Sequence, residues 1–102
     1  MTHGSDLHVR LTATAGNHLE EIYDYIEQHS PQNAPQMVRR LLDSIDSLEL
    51  LPHRYPVVED SEGFGVEVRS MPVRPFKVRY HVDERNSSVT ILSVRHGARK
   101  DD

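Results

Sequence analysis

Basic side chains without an acidic neighbour are concentrated between positions 69 and 79, at Arg69, Arg74, Lys77 and Arg79. Such a cluster can bind phosphate groups, or it can bind acidic side chains of a protein through charge-assisted hydrogen bonds. A solvated basic face without a ligand is the third interpretation. Near the end of the chain, His96 precedes Gly97 and is a candidate proton donor or acceptor, although packing beside a glycine turn is its simpler role.

The charge is unevenly distributed along the chain. Residues 1–63 contain 4 Lys or Arg against 11 Asp or Glu, whereas residues 64–102 contain 8 against 5. The two parts therefore carry −7 and +3, which combine to the net charge of −4. Because phosphate binding depends on several cationic contacts, the acidic total favours a protein partner over RNA for the basic part.

The composition excludes several kinds of site. The chain has no cysteine, which rules out disulfides, thiolate zinc sites and cysteine nucleophiles. His18 and His29 are about three helical turns apart, roughly 16 Å, too far to share one ion, so we expect no metal and no cofactor. No apolar run approaches the roughly 18 residues that span a bilayer, so we expect a cytoplasmic protein without membrane contact.

The length fits one domain, which we place at residues 6–102, after a disordered or vector-derived N-terminus at residues 1–5. Alternation of apolar and polar residues predicts a strand over 6–12. A helical apolar stripe then begins at a cap on Thr12 or Thr14 and ends at Ser30-Pro31. A second, longer stripe begins at a capping box formed by Asn33 to Gln36 and ends near Leu51-Pro52.

Beyond residue 65 the apolar period changes to two. Strands are predicted over 66–69, 76–82 and 88–94, with a turn at 83–87. The result is an α+β domain: an N-terminal strand and a C-terminal three-stranded antiparallel meander form a four-stranded sheet, and the antiparallel helical hairpin packs on one face. Since Phe76, Val78 and Tyr80 must face the helices, the alternation leaves four basic residues on the uncovered face: Lys77, Arg79, His81 and Arg69.

The ordered series of these segments resembles the RelE/ParE toxin superfamily, with the ParE branch most similar. The resemblance rests on Glu20 to Ile26, Ser30-Pro31, Leu48 to Pro52, Val68 to Arg74, Phe76 to Tyr80 and the terminal His96-Gly97-Ala98-Arg99. It implies the toxin of a type II toxin–antitoxin system, which arrests growth, stabilises a plasmid or chromosome, and forms a hetero-oligomer with a cognate antitoxin that covers its working surface.

Two activities occur in that superfamily. RelE-like toxins are metal-independent endoribonucleases that cleave mRNA on the ribosome, and for this activity the resemblance implies Arg69 and Arg99 as catalytic cations. A proton donor of the kind those toxins carry beyond the last strand has no counterpart, and His96 is the substitute candidate. ParE-like toxins inhibit DNA gyrase, and this hypothesis is favoured, with one face for antitoxin or target: Arg69, Arg74, Lys77, Arg79 and His81. A non-toxic binding remnant is the third hypothesis.

Overall fold

The computed structural model describes residues 7–97, in which two helices pack on a five-stranded mixed sheet. The helices are α1 (Ala13–His29) and α2 (Asn33–Asp46), and a single 3-10 turn (Ser47–Glu49) follows α2. The strands are β1 (His8–Leu11), β2 (Val57–Val58), β3 (Val68–Val73), β4 (Phe76–Asp83) and β5 (Ser88–His96), in the order β1-β5-β4-β3-β2.

The α+β class and the helical hairpin on one face of the sheet are confirmed. β1 pairs with β5 in parallel, and the other neighbours are antiparallel. The predicted strand count is one too low, because the two-residue β2 pairs with the start of β3 and adds an edge strand. None of the helices within residues 7–97 is long and apolar enough to cross a membrane.

Thr12 is the N-cap of α1. Its Oγ1 accepts a hydrogen bond from the Ala15 N–H at 3.1 Å and donates one to the Ile91 carbonyl at 2.8 Å. One hydroxyl therefore satisfies an unpaired donor of the first helical turn and fixes the start of α1 against β5. At the other end, the Ser30 N–H donates to the Ile26 carbonyl at 2.7 Å, and the helix stops before Pro31 as predicted.

We expect Thr12→Ala to lower the free energy of unfolding by about 1–2 kcal/mol, because both hydrogen bonds of the cap are lost. Thr14→Ala is the matched control: Thr14 is exposed one residue inside the helix, and its replacement should stay within about 0.5 kcal/mol of the parent. Urea unfolding followed by circular dichroism measures both. Equal losses for the two variants would contradict the assignment of the cap.

The capping box predicted for α2 is wrong. Asn33 is the first residue inside the helix, and no side-chain hydrogen bond caps the N-terminus at Gln32. The reason is a tight turn after α1, in which the Asn33 N–H donates to the Ser30 carbonyl at 2.9 Å and its Nδ2 donates to Ser30 Oγ at 2.8 Å. The Asn33 amide therefore closes the connection between the two helices.

The core lies between the hairpin and one face of the sheet. It combines helical residues with side chains of three strands, namely Ala15, Leu19, Leu41, Ile45, Leu48, Met71, Val73, Phe76, Val78, Tyr80, Val89, Ile91 and Val94. The predicted inward direction of Phe76, Val78 and Tyr80 is confirmed. Leu42 of α2 lies outside this core, since 39% of it is exposed.

A bulge in β5 changes the alternation in the last strand. Arg79 lies opposite Ser93, but the next pair is Tyr80 with Ile91, so Leu92 is an extra residue. The bulge lets Ile91 and Val94 both enter the core, which a regular strand with period two forbids. It also places Ser93 on the face of the sheet opposite the helices, beside Arg79.

Candidate functional site: the open face of the sheet

The face of the sheet opposite the helices, called the open face, is basic. Lys77, Arg79 and His81 alternate with the buried residues of β4 and lie on this face, as predicted. The register adds a row from β5, in which Arg95 lies opposite Lys77, Ser93 opposite Arg79 and Thr90 opposite His81. At the other edge, β1 contributes two further basic side chains, His8 and Arg10, beside Ser88 and Thr90.

A carboxylate from outside the sheet lies among these cations. Glu62 Oε2 accepts a hydrogen bond from Ser93 Oγ at 3.0 Å and is 3.6 Å from Arg79 Nη1. Its other oxygen, Oε1, is 3.9 Å from Arg95 Nη1. Only 24% of the Glu62 side chain and 14% of the Arg79 side chain are exposed, so this contact is partly shielded from water. We call Arg79, Ser93 and Arg95 the carboxylate cradle.

Glu62 belongs to residues 59–65, called the acidic loop, which Asp60 holds in shape. The Asp60 carboxylate accepts hydrogen bonds from the Phe64 N–H at 2.8 Å and the Gly65 N–H at 2.6 Å. These donors, that of Phe64 first, stabilise the charged form and lower the pKa of Asp60. Gly63 and Gly65 have φ of +78° and +77°, which favours glycine at both positions.

Arg69 lies on the opposite side of the sheet from the prediction. Its register partner is the buried Tyr80, so it points to the face that the helices cover. Its Nη1 donates to the Tyr55 carbonyl at 2.6 Å and to the His53 carbonyl at 3.4 Å, and only 17% of the side chain is exposed. The predicted position on the uncovered face is therefore wrong, because β3 begins at Val68 and its register with β4 turns Arg69 inward.

The remaining predicted site residues have separate partners, and of those that the structure describes only His81 lies on the open face. Arg74 is exposed in the turn between β3 and β4, where its carbonyl accepts a hydrogen bond from Arg40 Nη2 at 2.7 Å. His81 Nδ1 is 2.8 Å from the Glu67 carbonyl oxygen. His96 ends β5 with its ring edge-on to Phe76, at 5.5 Å between centroids. Arg99 and the N-terminal residues 1–5 lie outside the described residues.

The candidates for RNA cleavage do not converge where the structure describes them. His96 pairs with Phe76, and Phe76 pairs with Val73, four residues along β3 from Arg69. Two strand spacings and four residue rises put the Cα atoms of Arg69 and His96 roughly 16 Å apart. Arg69 is bonded to the 53–55 backbone and His96 packs on Phe76, so the two side chains are not brought together.

Sequence reasoning missed the carboxylate cradle and its occupant. Arg95 alternates with Val94, which is a signal for an outward position, but its pairing with Lys77 depends on the register of β5. Ser93 reaches the open face only because of the bulge at Leu92. Glu62 belongs to a segment without periodicity, and nothing local in the sequence links it to residues 17 to 33 positions further along the chain.

The comparisons with known proteins agree on a class of toxin. The fold is similar to the chromosomal ParDE system from Pseudomonas aeruginosa, with a TM-score of 0.73 and 21% identity over 91% of this chain and 98% of that one. It is also similar to the RelBE2 toxin–antitoxin complex from Mycobacterium tuberculosis, with a TM-score of 0.68 and 19% identity over 89% and 98%. The fold is thus that of RelE/ParE toxins.

A third similar structure is the archaeal RelE–RelB complex from Pyrococcus horikoshii, with a TM-score of 0.63 and 18% identity over 93% of this chain and 99% of that one. No curated protein sequence matches the chain. Residues 9–101 match the family model described as the ParE toxin of the type II toxin–antitoxin system parDE. The chain belongs to the ParE toxin family.

Proposed function

We propose that this toxin inhibits DNA gyrase through protein contacts made by the open face, and that a cognate antitoxin neutralises it by covering the same surface. The family match over residues 9–101 supports the class, and the ParDE and RelBE structures are complexes of such toxins with antitoxins. The position of Arg69 is the observation that favours protein contacts over RNA cleavage. Arg69 is a candidate catalytic cation, but its guanidinium is bonded to backbone carbonyls on the helix side.

The open face fits a protein partner. Its cations lie on three neighbouring strands of one sheet, so they are held at fixed spacing, and they alternate with hydroxyl groups such as Ser93 and Thr90. Complementary charge at an interface speeds association and selects the partner. An acidic antitoxin segment and an acidic region of the target can therefore compete for the same cations.

Charge reversal by Lys77→Glu on the open face should weaken inhibition of gyrase supercoiling about tenfold, equivalent to about 1.4 kcal/mol of binding free energy. Arg39→Glu is the matched control, since Arg39 is exposed on α2 in the helical layer and changes the net charge equally. The measurement is the concentration of purified toxin that halves supercoiling, together with growth after expression of the full chain with and without antitoxin.

The same experiment separates the competing activities. Growth arrest with intact supercoiling and cleaved mRNA would overturn the gyrase proposal in favour of a ribosome-dependent endoribonuclease. A folded protein that neither arrests growth nor blocks supercoiling would identify a binding remnant. Equal loss of inhibition in Lys77→Glu and Arg39→Glu would show that net charge, and not the open face, governs the interaction.

A further inference from the structure

The positive charges in and around the carboxylate cradle are not balanced by acidic side chains of the neighbouring strand positions. Lys77 and Arg95 are directly opposite each other on neighbouring antiparallel strands, and Arg79 lies two residues further along β4. Like charges in directly opposite positions destabilise a sheet. The counter-charge of Arg79 and Arg95 is Glu62, which is delivered by a loop and not by a strand of the sheet.

Glu62 fits the cradle incompletely. The hydrogen bond from Ser93 is 3.0 Å, but the guanidinium nitrogens of Arg79 and Arg95 stay 3.6 and 3.9 Å from the carboxylate. A charge-assisted hydrogen bond between guanidinium and carboxylate is typically about 2.7–2.9 Å and often bidentate. The two arginines therefore hold Glu62 by charge and not by short hydrogen bonds. A better placed carboxylate would lie closer to their guanidinium nitrogens.

We propose that Arg79, Ser93 and Arg95 form a binding site for an acidic side chain of a protein partner, and that Glu62 occupies this site in the free toxin. The partner's carboxylate replaces that of Glu62, so the acidic loop acts as a built-in competitor. The proposal rests on the proposed function only in taking the partner to be a protein. It assigns the chemistry of the residue that the partner inserts, namely Asp or Glu.

The occupant and its surroundings favour a carboxylate over a nucleic acid. The site is sized for one carboxylate, as its own occupant shows, and the fully buried Ser93 hydroxyl donates one hydrogen bond to it at 3.0 Å. Tight binding of a nucleic-acid strand requires several phosphate contacts in a row. Along the same face of β4, the row of cations ends at the acidic Asp83.

An internal occupant lowers the apparent affinity for an external one. If Glu62 fills the cradle about nine-tenths of the time, a partner carboxylate binds about tenfold more weakly than it would to the vacant cradle. Removing the charge of Glu62 removes this competition. Glutamine matches glutamate in size but carries no charge, and Asp60 still holds the acidic loop, so we expect the fold of the loop to be preserved.

The test is an NMR titration of the full chain with a capped octapeptide of alternating Glu and Gly, following the Ser93 amide and the Arg79 Nε–H signals. We expect Glu62→Gln to bind the peptide about tenfold more tightly than the parent. Glu59→Gln, an exposed acid of the same loop, should bind like the parent. Adding Arg95→Gln to Glu62→Gln should abolish the gain.

A second variant guards against a local folding defect. Asp60→Asn keeps the charge of Glu62 but weakens the bonds that hold the acidic loop, and it should also tighten peptide binding. Unchanged affinity in both Glu62→Gln and Asp60→Asn, with melting temperatures near that of the parent, would overturn the proposal. So would stronger binding of an eight-nucleotide single strand than of the peptide. The supercoiling assay is independent of the peptide titration. If the toxin does not inhibit gyrase, the titration still tests whether the carboxylate cradle binds an acidic side chain.

Discussion

Tyr80→Ala should lower the free energy of unfolding by about 3–5 kcal/mol, which is the largest single effect that we expect in this chain. Tyr80 is fully buried at the centre of the sheet, and its hydroxyl donates to the Pro52 carbonyl at 2.6 Å. The ring fills the core beneath the helices, whereas the hydroxyl holds the segment that leads from the 3-10 turn to β2. Alanine removes both contributions and leaves a cavity.

Tyr80→Phe separates the two contributions. It keeps the ring but leaves the Pro52 carbonyl without its donor, and we expect a loss of about 1–3 kcal/mol. Tyr25→Phe is the matched control, because 66% of Tyr25 is exposed and its loss should stay below about 0.5 kcal/mol. Equal stabilities of the parent and Tyr80→Phe would contradict the role given to the hydroxyl.

We also expect the free energy of unfolding to depend on pH because of the Tyr80 hydroxyl. Burial disfavours the charged phenolate and raises the pKa of Tyr80 above its ordinary value. Above the unfolded value of about 10, the unfolded chain binds fewer protons than the folded one, so stability falls as pH rises. The stabilising contribution is complete below that value and is lost as the pH rises through the folded pKa. In Tyr80→Phe this part of the decline should be absent.

The second large effect is expected at Arg69. Arg69→Met should lower the free energy of unfolding by about 2–3 kcal/mol, because a charged donor to the Tyr55 and His53 carbonyls is lost. Arg69 Nε is buried without a hydrogen-bond partner, which offsets part of the gain from Nη1. Arg69→Lys retains a charge but loses the planar fork of donors, so its free energy of unfolding should lie between those of the parent and Arg69→Met.

The toxicity of the Arg69 variants separates positioning from catalysis. If Arg69 fixes the backbone near Tyr55, growth arrest should weaken in proportion to lost stability and return at lower temperature. Loss of growth arrest in a variant as stable as the parent would instead support a catalytic arginine. Arg85→Met serves as the control, since Arg85 is exposed in the turn before β5. Thermal melts and growth at two temperatures provide the measurements.

Local patterns predicted most of the fold because each depends only on neighbouring residues. The apolar period and the helix stop signal predict three features that the structure confirms: the stripe of α1, its end at Ser30-Pro31 and the alternation of β4. The capping box at Asn33 failed, although its residue types are suitable, because a three-residue turn placed Asn33 inside the helix. A cap depends on backbone conformation as well as on residue type.

The candidate site was predicted in part for the same reason. Alternation within β4 correctly placed Lys77 and Arg79 on the open face, but the direction of Arg69 depends on where β3 begins and on its pairing with Tyr80. A shift of one residue reverses every side chain of a strand. The roles of these residues in binding stay predictions, as does that of Arg99.

The basic residues between positions 69 and 79, together with the order of the elements, were determined by the sequence itself, since charge and period are local properties. Tertiary structure decided how those residues are used. It turned Arg69 to the helix side, used the bulge at Leu92 to bring Ser93 beside Arg79, and placed Glu62 between two arginines. Register, bulges and loop closure bring together residues that are distant in the chain. The local sequence around one such residue therefore does not specify which distant residue it contacts.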